Sequence, residues 1–183
     1  VVPPGSGVPR YYSLASGTRD GFLEICVRLF PGGLCSTHLY GLQPGGTAEA
    51  FIRRNPGFAL QGGQQPVVLI GAGTGVAPLA GFIRRNDRRI PMHLYYGGRD
   101  PALDFYFEPE IRRWLEEQRL ASLQTEFSRV PGGGYVQDAL RRDAMRLRAW
   151  VNRLVREFFH ARNVLEVETP VLSRAGNTDP NIA

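Results

Sequence analysis

PVVLIGAGTGVAPLAGFI, residues 66–83, is an apolar run, a turn with glycine at 71, 73 and 75, and a second apolar run opened by Pro78. This pattern predicts a buried parallel strand, a tight turn, and a helix whose free N–H groups face a ligand. Glycine lets backbone approach a pyrophosphate closely, and a helix N-terminus favours negative charge. Two look-alikes fail. A phosphate loop of the Walker type ends in Gly-Lys-Ser/Thr, and this chain holds no lysine. The G-x-G-x-x-G dinucleotide turn fails because Val76 stands at its third glycine. What remains is G-x-G-T-G-x-A-P.

Outward from that turn, strand and helix alternate. Val67–Ile70, Met92–Tyr96 and Ser122–Phe127 read as strands. Pro78–Arg85, Phe107–Leu120 and a segment opened by Tyr135 read as helices. Alternation of this kind predicts a parallel sheet with crossover helices. Upstream, Arg10–Ala15, Phe22–Phe30 and Ala48–Ile52 read as short strands between glycine turns, the pattern of part of a β-barrel. Residues 1–9 are a Pro/Gly/Ser linker, and the chain reads as a piece of something longer. Downstream, Arg142–Arg162 repeats apolar residues at three- and four-residue steps, from Leu147 to Phe158/Phe159, giving one wide stripe. Val164–Glu168 then alternates like a strand and halts at Pro170.

The 183 residues are 43% apolar, enough for a real core, and carry a net charge of +5 from arginine alone. The arginine pairs are scattered without interleaved aromatics, which argues against a dedicated nucleic-acid face. Cys26 and Cys35 are too few for a disulfide framework and predict a reducing, cytoplasmic setting. Neither forms a metal signature with His38, His93 or His160. Glycines and prolines break 66–83 as a membrane span.

Two further strings carry chemistry. In Arg10-Tyr11-Tyr12-Ser13, a strand would point Arg10 and Tyr12 the same way. An arginine grips a diphosphate through paired hydrogen bonds, while an aromatic ring stacks on a planar cofactor. Gly33-Leu34-Cys35-Ser36 is a glycine turn into small residues, suited to a nest of N–H donors for phosphate or to an N-cap by Ser36.

In the order R-x-Y-S, G-x-C-S-x-x-L, G-x-G-T-G-x-A-P, these strings resemble the ferredoxin–NADP reductase superfamily, and within it the diflavin reductases of the sulfite reductase type. The resemblance continues through Leu94–Asp100, Asp104–Glu108, Phe127-Ser128-Arg129 and Tyr135–Asp138, and covers residues 10–151. It implies FAD held by Arg10, Tyr12 and Ser13, with Tyr12 stacked on the isoalloxazine and Ser13, the candidate catalytic residue, near its reactive nitrogen. Gly33, Cys35 and Ser36 would cradle the FAD pyrophosphate. Gly73, Thr74 and Gly75 would receive NADPH, and Arg99 its phosphates or ribose. Ser128, Arg129, Tyr135 and Gln137 would grip its 2′-phosphate and adenine. The reaction implied is hydride transfer from NADPH to FAD and onward electron transfer to an FMN, haem or iron–sulfur partner.

The chain departs from that family in two places. A lysine usual before the tyrosine matching Tyr135 is replaced by Pro131-Gly132-Gly133-Gly134, which predicts tolerance of NADH. After residue 151 the Cys-Gly strand is missing. Residues 152–183 instead resemble the first motif of class II lysyl-tRNA synthetases, closest to the ligase that modifies elongation factor P. That resemblance rests on Leu165–Pro170 and Thr178-Asp179, and implies a junction near 150–155 and a homodimer through the arm.

The expected architecture is therefore α/β. A partial antiparallel FAD barrel (1–60) precedes a doubly wound parallel-sheet NADP-binding domain lacking its last strand (61–151). A truncated synthetase-like helix–strand arm (152–183) follows. The rival readings are a synthetase-like dimerisation segment fused by read-through, and a non-catalytic nucleotide-binding remnant.

Overall fold

The computed structural model describes residues 1–162 apart from Thr18, Gln61 and Gly62. The chain divides into two compact units, residues 1–141 and 142–183.

Three parallel strands form the centre of the first unit: β1 (Val67–Ala72), β2 (Met92–Gly98) and β3 (Ser122–Phe127), side by side in that order. Val67 pairs with Met92 and His93 with Ser122, so all three strands end at the same edge. One face is apolar because Leu69 on β1 and Met92, Leu94 and Tyr96 on β2 fall at period two. Helices α2 (Ala77–Arg84) and α4 (Glu108–Glu116) cover that face with Leu79, Ala80, Ile83, Ile111 and Trp114. Trp114 is 2% exposed, and truncation to alanine would cost about 3–5 kcal/mol. Buried Asn86 ties the α2–β2 loop, its amide donating to Ile90 and Arg119 carbonyls at 2.7 and 2.8 Å.

The helix expected over 107–120 is present but shorter, as α4 alone. A short α3 (Pro101–Asp104) precedes α4, and Phe107 between them adopts a left-handed conformation at φ 60°. Helix α4 stops by Glu117, and Gln118 is again left-handed at φ 58°. Neither residue is glycine, so the sequence carried no sign of these bounds.

The N-terminal sixty residues differ more. Helix α1 (Leu34–Gly41) is present. The strands expected at 10–15, 22–30 and 48–52 shrink to isolated antiparallel bridges, Leu14 with Ile25 and Val2 with Glu49. These segments dock instead through side chains onto α2. Gly81 lies so close to the Ala15 backbone that an added Cβ would meet its carbonyl oxygen at 3.1 Å. Beside it, Arg84 donates to the Ala15 carbonyl at 3.0 Å and to Glu24 at 2.7 Å, and Arg85 reaches Asp20 at 3.2 Å.

One helix, α5 (Val136–His160), joins the segment opened by Tyr135 to the apolar stripe of Arg142–Arg162. It opens with Val136 beside Gly97, where an added Cβ would sit 3.2 Å from the valine Cβ. Its residues from 142 onward belong to the second unit, where Phe158 and Phe159 meet edge to face at 5.4 Å and the Arg162 guanidinium lies 3.6 Å from the Phe158 ring centre. The expected strand Val164–Glu168 and most of the segment expected to pair two copies lie outside the described residues.

Candidate functional site

The parallel register brings three loops together at the carboxyl edge of the sheet: Gly73–Val76 after β1, Arg99–Asp100 after β2, and Ser128–Tyr135 after β3. Open α/β sheets bind ligands beyond this edge. Gly73, Thr74, Gly75, Arg99, Ser128, Arg129, Tyr135 and Gln137, scattered over 65 residues of sequence, all stand on it.

The glycines of the first turn serve three separate needs. Gly71 is buried, and a Cβ there would meet Leu79 Cδ1 at 2.9 Å and Val76 Cα at 3.3 Å, so it lets α2 lie close on β1. Gly73 has φ +52°, a conformation that costs side-chain-bearing residues. Gly75 has no protein atom within 4 Å of its would-be Cβ. Packing does not require a glycine there. The open space leaves the backbone accessible from outside.

Between β2 and β3 the loops are tied by backbone. Ser128 N–H donates to the Gly98 carbonyl at 3.0 Å, and Arg129 N–H to the Arg99 carbonyl at 2.8 Å. Arg99 makes a two-pronged pair with Asp104, Nε at 2.9 Å and Nη2 at 3.1 Å. The guanidinium holds the buried Asp104 carboxyl below the usual carboxylate range, burial opposing it. Asp104 stands five positions after Arg99, and nothing in that spacing marks the pair in the sequence.

A second recess lies between the N-terminal segment and α2. It is a cleft of about 840 Å³ bordered by Arg10, Tyr12, Ser13, Arg53 and Arg54 on one side and Pro78, Gly81 and Phe82 of α2 on the other. Its walls thus mix aromatic rings with guanidinium groups, a surface for a flat ligand bearing phosphates. Arg53, Arg54, Phe58 and Phe82 were missed by sequence reasoning, because each looked like ordinary loop or helix composition.

Tyr12 joins the first two strings in space. Burial, followed by a hydrogen bond and the charge of the Cys35 thiol, pushes its hydroxyl up to about 12, with Arg10 acting in the opposite sense. The side chains of Cys35 and Ser36 face inward. The Ser36 hydroxyl takes the Phe30 N–H at 3.1 Å and so staples the preceding turn, while α1 has no side-chain cap at Gly33. Ser36 is therefore not the N-cap of α1. Gly33 borders a separate recess of about 470 Å³ with Thr37 and His38. From this string, only backbone N–H groups are left to meet a phosphate.

Among the described residues no cluster of His, Cys, Asp or Glu is arranged to hold a metal, and no helix is long and apolar enough to cross a membrane.

Residues 69–155 match the family model described as the oxidoreductase NAD-binding domain. The chain is 33% identical to nitric oxide synthase 3 of Sus scrofa over 197 aligned residues, 96% of this chain and 16% of that protein. It is 30% identical to NADPH oxidoreductase A of Dictyostelium discoideum, across 79% of this chain and 25% of that one. Among solved structures, the Amycolatopsis cytochrome P450 reductase GcoB superposes with a TM-score of 0.58 at 33% identity, covering 78% of this chain and 46% of its own. The chain thus spans a quarter or less of the two curated relatives named here.

These relatives leave two expectations without support. The family model runs through residue 155, and the nitric oxide synthase match takes in nearly the whole chain. The synthetase-like resemblance of 152–183, with its junction, is not supported, and neither is the narrower assignment to the sulfite reductase type. The parallel sheet, the three-glycine turn and the matches agree on one conclusion: residues 69–155 are similar to an oxidoreductase NAD-binding domain.

Proposed function

We propose that this chain is the reductase portion of an NADPH-dependent flavoprotein, moving reducing equivalents from NADPH to FAD and on to an electron-accepting partner. One observation carries the reading. Helix α2 begins at the glycine turn on the sheet edge and, through Pro78, Gly81 and Phe82, also lines the aromatic, arginine-rich cleft. A dinucleotide on the turn and a flavin in the cleft would share that helix as their common wall.

The residues present suit both groups. Gly75 leaves open space beside a turn already bent by Gly73, and the cleft supplies rings and guanidinium groups. Bound there, NADPH and FAD supply the hydride-donor and hydride-acceptor chemistry, while the protein sets order and electrostatics. Arg10, with Arg53 and Arg54, would neutralise the FAD diphosphate. Tyr12, kept neutral by its surroundings, would stack on the flavin, and exposed Ser13 would stand beside it as the candidate catalytic residue. Backbone at Gly33, Cys35 and Ser36 would approach the same diphosphate. Gly73, Thr74 and Gly75 would seat the NADPH pyrophosphate, with Arg99 next to it and Ser128, Arg129, Tyr135 and Gln137 about the adenosine.

In this reading residues 1–60 belong to the flavin-binding part and 61–151 to the nucleotide-binding part. The partner is a flavin, haem or iron–sulfur protein or domain, and the likeness to a reductase named for a cytochrome favours haem. Cys26 and Cys35 are free thiols, in keeping with a cytoplasmic setting.

FAD binding tests the cleft directly. Titrating the full chain into FAD should quench flavin fluorescence, and Arg10→Ala should weaken binding about tenfold, the loss of roughly one charge-assisted hydrogen bond. Equal FAD binding by wild type and by an Arg10→Ala, Tyr12→Ala double variant would remove the flavin from this cleft.

A further inference from the structure

The adenosine end of the proposed dinucleotide site has an unusual charge balance. This inference rests on the reading above and concerns which dinucleotide the site takes. The cleft lies against α2, the helix that follows β1, so the end of the dinucleotide that meets the flavin faces that helix. The other end runs over β2 toward β3, about 10 Å across two strand spacings.

At the end of β3 the chain offers few cations. Gly132 is left-handed at φ +72°, and a Cβ at Gly133 would lie 1.9 Å from the Phe127 carbonyl oxygen. The loop Pro131–Gly134 is thus collapsed onto the strand end. It carries no charge, and no side chain fits at 133. A Cβ on Gly134 would fall 3.1 Å from Glu126 Oε2 and 3.4 Å from Asp138 Oδ2, so two carboxylates flank the backbone leading into Tyr135. Asp138 also accepts the Tyr135 N–H at 2.9 Å. Against them stands exposed Arg129. Arg99 is occupied by Asp104. Arg141 lies a turn beyond Gln137, about 6 Å further along the helix axis.

A 2′-phosphate brought here gains one guanidinium and meets two carboxylates. A free ribose diol meets the same carboxylates as a hydrogen-bond donor and needs no cation. We propose that this subsite accepts the unphosphorylated adenosine ribose about as well as the phosphorylated one, so that the protein uses NADH alongside NADPH.

The test is calorimetric titration of the full chain with two ligands that differ only at the 2′ position, 5′-AMP and adenosine 2′,5′-bisphosphate, and then with NADH and NADPH. Within each pair the dissociation constants should agree to within about tenfold. Glu126→Gln should shift the ratio several-fold toward the phosphorylated member, and Arg129→Ala should shift it the other way. A preference beyond about a hundredfold for the phosphorylated members would overturn the proposal while leaving a nucleotide site in place. A ratio unmoved by Glu126→Gln would overturn it too. Binding of none of the four ligands would overturn both this inference and the dinucleotide site on which it rests.

Discussion

Arg99 and Asp104 are bound through two parallel hydrogen bonds, at 2.9 and 3.1 Å, across the turn that follows β2. The pair fixes the guanidinium at the sheet edge through Nε and Nη2. Its pH dependence has a definite sign. Asp104 is held below the ordinary carboxylate range, so the folded state gains from its ionisation. That gain is present above the unfolded value of about 4 and is lost as pH falls through the lower folded value. Asp104→Asn should therefore lower the melting temperature at neutral pH, and the gap from wild type should narrow below about pH 4. Thermal melts followed by tryptophan fluorescence at several pH values check this. A gap that widened on acidification would contradict it.

The glycine turn separates folding from binding. Gly71→Ala, pressed between Leu79 and Val76, should destabilise by about 1–2 kcal/mol. Gly73→Ala should cost a comparable amount, about 1–2 kcal/mol, because of its positive φ. Gly75→Ala meets no protein atom and should stay within about 0.5 kcal/mol of wild type, yet lose dinucleotide affinity. Urea denaturation beside NADPH titration measures both. Loss of stability without loss of binding in Gly75→Ala would remove the ligand from this turn.

Arg84 couples the N-terminal segment to the sheet. It satisfies the Ala15 carbonyl and Glu24, and its guanidinium also lies 5.8 Å from the centre of the Trp114 ring. Arg84→Ala should cost about 1–3 kcal/mol, the range for a partly buried charged hydrogen bond. Protease sensitivity should then rise around residues 14–25 before the sheet opens. Limited proteolysis with mass mapping reads this out.

Tyr12 should ionise late. Ultraviolet titration of wild type against Tyr12→Phe should assign one tyrosinate to a pKa near 12. Since the folded value lies above the unfolded one of about 10, the stability tied to the neutral hydroxyl holds below pH 10 and is lost as pH rises toward 12. Cys35→Ala should bring the value down, because the thiol contributes to the shift.

The sheet was legible because each strand announces itself. Val67–Ile70 is an uninterrupted apolar run before Gly71, and Ser122–Phe127 stands between a helix and a loop at the expected bounds. The edge residues were named from the family resemblance, and the parallel register sets them on one edge. The N-terminal segment was not legible in the same way. Alternation in Phe22–Phe30 reports a strand-like environment but does not name a ladder partner, and only Ile25 finds one, in Leu14. Contacts that join distant segments, such as Arg84 with Glu24, leave no local trace. The left-handed residues Phe107 and Gln118 bound α4 with no glycine to mark them, so the amphipathic pattern was read past the helix end at Glu116 to Leu120.

The most direct test of a flavoprotein reductase is the visible spectrum of the full chain reconstituted with FAD and titrated with NADPH without oxygen. The account predicts protein-bound flavin that bleaches on adding NADPH, and slower bleaching in Gly75→Ala. Bound flavin that stays oxidised while NADPH is bound beside it would contradict the account.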